Sequence, residues 1–226
     1  MELVLITSVI NTSQYTKPFS YTPTRSTFST EERFEQTQES ITSVRKYIPN
    51  SFIVLIECSD ISEEYEEYLK THCDIYYNLN KHQEIVDAVG GIYKGYGEAA
   101  MHIGFLKYVF PNIFASKREI KRFWKLSGRY YFSEFTDLSK FDENKICFKI
   151  EREGVYNTRL FNFPIQYMNI YVDLIKKTYY ETEFNDYTPS IEELFFKYLE
   201  PENIKIIDIT GVRGFEAVSF YKRCID

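Results

Sequence analysis

Three apolar runs of strand length constrain this chain more than any other feature. They are Glu2-Leu-Val-Leu-Ile-Thr-Ser-Val9, Phe52-Ile-Val-Leu-Ile-Glu57 and Arg122-Phe-Trp-Lys-Leu-Ser127. Their hydrophobic residues are mostly consecutive rather than alternate. Successive side chains of a strand point to opposite faces, so such a run needs both faces covered, as in the central strands of a parallel sheet. Helical signals lie between the runs. Ser29-x-x-Glu32 is a capping box, and Phe34, Ile41, Val44 and Ile48 then form one apolar face, ended by Pro49-Asn50. Glu63 to Lys70 reads as a short acidic helix capped by Asp60 or Ser62, and Asp74 to Asn78 as a further strand. Alternating strands and helices imply an α/β fold with right-handed crossovers over residues 1–132.

Open sheets of this kind bind ligands at the carboxyl ends of their strands. The first run ends in Thr7, Ser8 and Val9, with Asn11 just beyond; the second ends at Glu57. The fourth strand ends in Ser127-Gly128-Arg129, before the aromatic run Tyr130-Tyr131-Phe132. Gly128 lets backbone approach a ligand, and Arg129 offers a planar fork of donors suited to phosphate. The alternative is an ordinary surface arginine. Arg33, in the first helical turn, reads as a solvated arginine or as a second cation across the cleft. Residues 12–28 form a long loop rich in Thr, Ser, Pro and Tyr, of the kind that is functional or mobile. Gly90 to Ala100 is a glycine-rich bend opening a helix that runs to about Phe110 and is closed by Pro111, with a basic turn from Lys117 to Arg122. It matches neither the Walker nor the Rossmann pattern, but Lys94 at a helix start suits an anion.

The second half, residues 133–226, changes character. Lys145–Ile150 and Thr158–Phe163 read as an antiparallel addition, and Pro164 starts a helix with Met168, Tyr171, Val172 and Ile175 on one side. Ser190 and Glu193 form another capping box, which occupies Glu193 and leaves Glu192 free. Ile204–Asp208 is a last strand, followed by a turn at Gly211–Gly214. The two halves make one domain.

A net charge of −6 argues against nucleic acid as the main partner. No run of about 18 apolar residues exists, and Met1 to Ile10 lacks the marks of a secretion signal, so no transmembrane segment is expected. Four scattered cysteines without a CxxC pair argue against zinc and for reduced thiols in a cytoplasmic setting. The 20 Tyr and 19 Phe suit stacking on bases or sugars; an A/T-rich coding genome is the other explanation.

These stretches, with Gln36-Thr37, Ser40-Ile41, Glu57-Cys-Ser, Lys94-Gly-Tyr-Gly-Glu98, Lys125-Leu-Ser-Gly-Arg-Tyr130, Thr158-Arg-Leu-Phe161 and Ile191-Glu192, resemble a family. The chain resembles small glycosyltransferases of the GT-A fold, such as those of chlorella-type large DNA viruses, over about residues 1–215. That resemblance implies a nucleotide-diphosphate sugar donor, UDP-linked by preference, and a glycan acceptor. It places Thr7, Ser8 and Val9 at the nucleoside and Glu57 at the base. Lys94 and Glu98 fall on the ribose or sugar side; Asn11, Gly95 and Arg33 are further candidates for holding the donor. Such enzymes carry Asp-x-Asp at the end of the fourth strand, whereas this chain has Ser127-Gly128-Arg129. The resemblance therefore implies that Mg²⁺ or Mn²⁺ is disfavoured and no metal ligands are assigned. Arg129, helped by Lys125 or Lys94, stabilises the leaving diphosphate instead, with Asp137 the remaining acidic candidate for an ion. Glu192 is the first candidate for the general base, ahead of Asp186 and Glu134. Two other classes stay open: a nucleotidyltransferase, which wants a glycine-rich basic loop after the first strand, and a non-catalytic binding module derived from a transferase.

Overall fold

The computed structural model of the chain describes residues 1–116, 118–184, 190–216 and 224–225. The first apolar run becomes β1 (Glu2–Ser8), flanked on both sides by parallel neighbours, β2 (Ser51–Glu57) and β4 (Arg122–Ser127). Its side chains alternate between two cores. Leu3 and Leu5 face one together with Val54, Ile56 and Phe123; Val4 and Ile6 face the other with Ile53, Leu55, Trp124 and Leu126. Both faces are covered, as consecutive hydrophobic residues require. Fully burying each such side chain contributes about 1.5–3 kcal/mol.

The large sheet has seven strands in the order β3-β2-β1-β4-β7-β6-β8, with β3 at Ile75–Asn78, β6 at Ile146–Arg152, β7 at Val155–Pro164 and β8 at Ile204–Ile206. β7 runs antiparallel to β4 and to β6, while β8 is parallel to β6. The expected antiparallel addition is thus continuous with the main sheet. Gly154, at φ 78°, makes the β6–β7 turn. A second sheet of three strands, β10-β9-β5, joins β5 (Tyr130–Phe132), β9 (Val212–Gly214) and β10 (Cys224–Ile225). Gly211–Gly214 is therefore mostly strand, not the turn read from its two glycines.

α1 (Thr30–Tyr47) starts at the Ser29–Glu32 capping box and covers the second core. It also completes the small sheet. β5 is an edge strand, and its outer backbone groups would otherwise lack partners. Thr37 Oγ1 donates to Gly128 O, Ser40 Oγ donates to Tyr130 O at 2.7 Å, and Phe132 N donates to Ser43 Oγ at 3.0 Å. Three hydroxyls at i, i+3, i+6 on one helix face thus stand in for a neighbouring strand. α2 (Glu63–His72) is capped by Ser62 as expected.

The glycine-rich bend differs from the reading. Gln83–Gly90 is itself a helix, α3, and Lys94–Tyr108 is α4, so Lys94, Gly95 and Gly97 lie inside a helical turn. A Cβ at Gly97 would meet Val89 Cα at 2.9 Å, and one at Gly104 would meet Leu79 Cδ2 at 2.7 Å. These glycines allow close helix packing. Pro111 does not close α4; it sits in the first turn of a short α5 (Phe110–Ala115), where its missing N–H costs nothing. Lys117 lies outside the described residues. Met168–Phe184 forms α6, with Tyr171 and Ile175 fully buried, and Ile191–Tyr198 forms α7 behind the Ser190–Glu193 capping box. Among the described residues no helix is long and apolar enough to cross a membrane.

Candidate active site

Strand register brings the site together. β1 pairs Thr7 with Ser127 of β4 and Ser8 with Glu57 of β2, so all four reach the same carboxyl edge. A cavity of about 220 Å³ opens there. Its lining includes Thr7, Ser8 and Val9 from β1 and its end, Arg33 from α1, Lys94 and Glu98 from α4, Ser127 and Arg129 after β4, and Glu192 from α7. Arg129 therefore shares a cavity with Thr7, as its place in the sequence implied.

Four cations in this cavity have no ion-pair partner within 4 Å among the described residues: Arg25, whose guanidinium is held by backbone carbonyls, and Arg33, Lys94 and Arg129. Arg129 is half-buried; its Nε donates to Phe215 O at 3.1 Å, while Phe215 N donates back to Arg129 O at 3.1 Å. Its two terminal nitrogens point no hydrogen bond at any described residue. Arg33 is buried rather than solvated. Its Nε donates to Val9 O at 2.6 Å and its Nη1 to Ser26 Oγ at 3.4 Å. Burial, and then the charge of Arg129, lower its guanidinium to about 9. Lys94 is exposed at the mouth of the cavity; local desolvation works against its charge, but Glu98 and Glu192 outweigh it and hold the ammonium above its ordinary value. With Arg129 close enough to disfavour the charge of Arg33, and the Lys94 ammonium lining the same cavity, this is a site that an anion stabilises.

Several expected ligands are occupied elsewhere. Lys125 is fully buried, and its ammonium donates to Glu98 Oε1 at 2.6 Å, Ser127 Oγ at 2.8 Å and Thr158 O at 2.8 Å. All three donors are used, so Lys125 positions Glu98 and Ser127 instead of reaching the cavity. Burial alone would raise the Glu98 carboxyl; Lys125 and Lys94 outweigh burial and hold it well below the usual range. Glu57 does not line the cavity. Fully buried, its Oε1 accepts from Ile10 N at 2.9 Å and from Ser59 Oγ, clamping the chain after β1. Asn11 is spent on the same clamp: its N donates to Ser59 Oγ and its Nδ2 to Asp60 O, both at 2.9 Å. Gly128 does not face a ligand. A Cβ there would lie 3.0 Å from Thr7 O and 3.2 Å from Ser8 Cβ, so its small size serves packing on β1. Gly95 is also absent from the lining.

The acid–base candidates are sorted by contact. Glu192 lines the cavity and accepts from Thr158 Oγ1 at 2.9 Å, with its other oxygen left for a second partner. Glu134 pairs with Arg213 at 3.1 Å, and Asp186 lies outside the described residues. Asp137 accepts from Ser139 N at 3.0 Å as the cap of a single turn. Among the described residues no group of three or more His, Cys, Asp or Glu side chains is placed to hold an ion.

The residue least legible in the sequence is Arg25. It is 8% exposed yet meets no carboxylate: its guanidinium donates to the carbonyls of Lys17, Val89, Gly90 and Gly91. Its Cζ lies 4.4 Å from the Phe19 ring centroid and 5.3 Å from that of Tyr15. Arg25 thereby ties the 12–28 loop to the α3–α4 turn and puts Tyr15, Phe19 and Tyr21 into the cavity wall. The aromatic richness of the loop was the available signal; which carbonyls Arg25 would meet was not.

No family model matches the chain, and no curated protein matches it. Among solved structures it is similar over 92% of its length to mouse xyloside xylosyltransferase 1, with 13% identity, 84% of that chain covered and a TM-score of 0.45. It is also similar to a glycosyltransferase involved in the glycosylation of the major capsid of PBCV-1, with 92% and 82% of the two chains covered, 11% identity and a TM-score of 0.43. The inositol-1-phosphate CTP transferase from T. maritima is a third, with 92% and 85% covered, 14% identity and a TM-score of 0.47. Glycosyltransferases and an inositol-1-phosphate CTP transferase thus stand side by side at this level of similarity.

Proposed function

We propose that this chain transfers a sugar from a nucleotide-diphosphate donor, UDP-linked by preference, to a hydroxyl of a glycan acceptor. The observation that supports it is the meeting of Arg33, Lys94 and Arg129 with Glu192 in one cavity at the carboxyl edge of β1 and β4. As the bond from the anomeric carbon to the diphosphate oxygen breaks, its electron pair leaves with the diphosphate, which gains negative charge. Arg129, with Arg33 and Lys94, meets that charge with donors already in place. The new bond forms from the acceptor oxygen to the anomeric carbon, and Glu192 takes the acceptor proton. Thr7, Ser8 and Val9 hold the nucleoside side of the donor.

The reading is independent of a divalent cation. The end of β4 offers a guanidinium where an ion-binding carboxylate would be needed, and the Glu98 carboxylate of α4 is already engaged by Lys125. A nucleotidyltransferase is less well supported, because Arg25, the buried base of the loop after β1, is spent on backbone carbonyls. Titration with UDP and GDP, followed by turnover of their sugars in EDTA, tests the proposal. UDP binding lost in Arg129→Ala and turnover retained in EDTA are the expected results. Turnover abolished by EDTA overturns the cation independence; failure to bind either diphosphate overturns the transferase.

A further inference from the structure

The aromatic wall of the cavity has no part in the donor chemistry above. It is built by a tight turn at Phe19–Thr22, in which the two end residues bridge and Thr22 N donates to Phe19 O at 3.3 Å. Ser20 N donates to Ile92 O at 2.9 Å, and Arg25 fastens the same loop to the carbonyls of Val89, Gly90 and Gly91. The turn is therefore held against the start of α4 from two directions. A Cβ at Gly90 would meet the Tyr15 ring at 3.0 Å, so the loop also lies closely on this turn.

At the tip stands Tyr21, which is 59% exposed although it lines the cavity. Its ring is parallel to Phe19, with centroids 5.8 Å apart and an interplanar angle of 2°. Phe19 is backed in turn by the Arg25 guanidinium at 4.4 Å. The Tyr21 hydroxyl has no hydrogen-bond partner among the described residues. A large ring left uncovered by its own chain, yet braced by a second ring and a buried cation, is a rigid aromatic surface facing a polar cavity. Its position follows from the anchors of the turn. Ser20 N bonds Ile92 O, two residues before Lys94, so Tyr21 stands over the start of α4. Glu98, one turn along α4, shares the Lys125 ammonium with Thr158 O, and Thr158 Oγ1 donates to Glu192; Tyr21, Lys94 and Glu192 all line the one cavity.

We infer that Tyr21, braced by Phe19 and Arg25, is the acceptor subsite: a pyranose ring lays its apolar C–H face on the phenol while one of its hydroxyls reaches Glu192. Lys94 is in reach to donate to another ring hydroxyl. This names the acceptor class for the transferase proposed above and rests on that reading.

Saturation-transfer NMR on the full chain tests it, using the methyl glycosides of xylose, glucose, galactose, mannose and rhamnose with and without UDP. At least one of these pyranosides should bind the wild type through its C–H face. Tyr21→Ala should weaken that binding by about fivefold or more, the order expected for a lost aromatic contact, and Tyr21→Phe should retain it. UDP affinity should stay within about twofold of wild type in both variants. A fall in UDP affinity in Tyr21→Ala places the nucleobase on the ring instead and overturns the inference. Undiminished pyranoside binding by Tyr21→Ala, or no pyranoside bound by wild type, overturns it as well. The two readings fail separately. Pyranoside binding through Tyr21 without UDP binding keeps the subsite and removes the transferase, and UDP binding lost in Arg129→Ala without pyranoside binding does the reverse.

Discussion

Replacing Lys125 with methionine separates a positioning lysine from a ligand-binding one. In the native chain its fully buried ammonium makes three hydrogen bonds of 2.6–2.8 Å, to Glu98, Ser127 and Thr158. Methionine keeps most of the aliphatic stem and removes all three. Glu98, whose side chain is 16% exposed, then retains only Lys94 as a neighbouring cation. Removing one partner of a buried ion pair costs about 3–5 kcal/mol, because the other charge is left desolvated. The field of Lys94 and the partial access of water put Lys125→Met at the low end, about 3 kcal/mol at pH 7. The sign of the pH dependence follows. The folded chain holds Glu98 below its ordinary 4.5, so its contribution is present above that pH and is lost as pH falls through the lower folded value. In Lys125→Met burial is opposed by Lys94 and, more weakly, by His102, without the larger contribution of Lys125, so Glu98 takes up its proton at a higher pH. The stability gap between the two proteins therefore narrows on going from pH 7 to pH 4. Urea unfolding followed by circular dichroism at pH 7, 5.5 and 4 measures it. A loss of less than about 1 kcal/mol at pH 7, or a gap that widens on acidification, refutes the assignment of Lys125 as a buried structural partner.

His102 is buried and bonded through Nδ1 to Tyr171 Oη at 2.5 Å; burial, and then Lys125, hold its imidazole down to about 3 from an ordinary 6.5. The unfolded chain binds a proton below pH 6.5 that the folded chain refuses, so stability falls by up to about 1.4 kcal/mol per pH unit, and His102→Gln should flatten that slope in unfolding measured from pH 6.5 to 4.5. Gly128→Ala should cost about 1 kcal/mol, since Thr7 O and Ser8 must yield by only a few tenths of an ångström. Gly214→Ala should cost more, because its Cβ would run into Arg129 O and the Tyr130 ring; equal thermal shifts for the two variants would contradict this packing. Glu192→Gln should lower the rate of sugar transfer by about 100-fold while leaving the melting temperature unchanged, and a rate within a few-fold of wild type would remove Glu192 as the base.

From the sequence alone came the parallel strands, the two capping boxes and the placing of Arg129 at a strand end beside Thr7. Those features are local: consecutive hydrophobic residues demand two covered faces, and Ser29–Glu32 and Ser190–Glu193 satisfy helix ends within a single turn. The spacing of Ile85, Ala88 and Val89 also held the signal for α3, though the nearby glycines suggested a bend. Tertiary structure alone decided which polar groups were left for a ligand. Glu57 found Ile10 N, 47 residues away, and Arg25 found carbonyls 64 to 66 residues away, while Arg33 came under the charge of Arg129. A carboxylate or guanidinium has the same donors and acceptors wherever it stands. Whether it faces a ligand or its own backbone depends on which distant segment packs against it, just as the missing Cβ of Gly128 proved to face Ser8 and not the cavity.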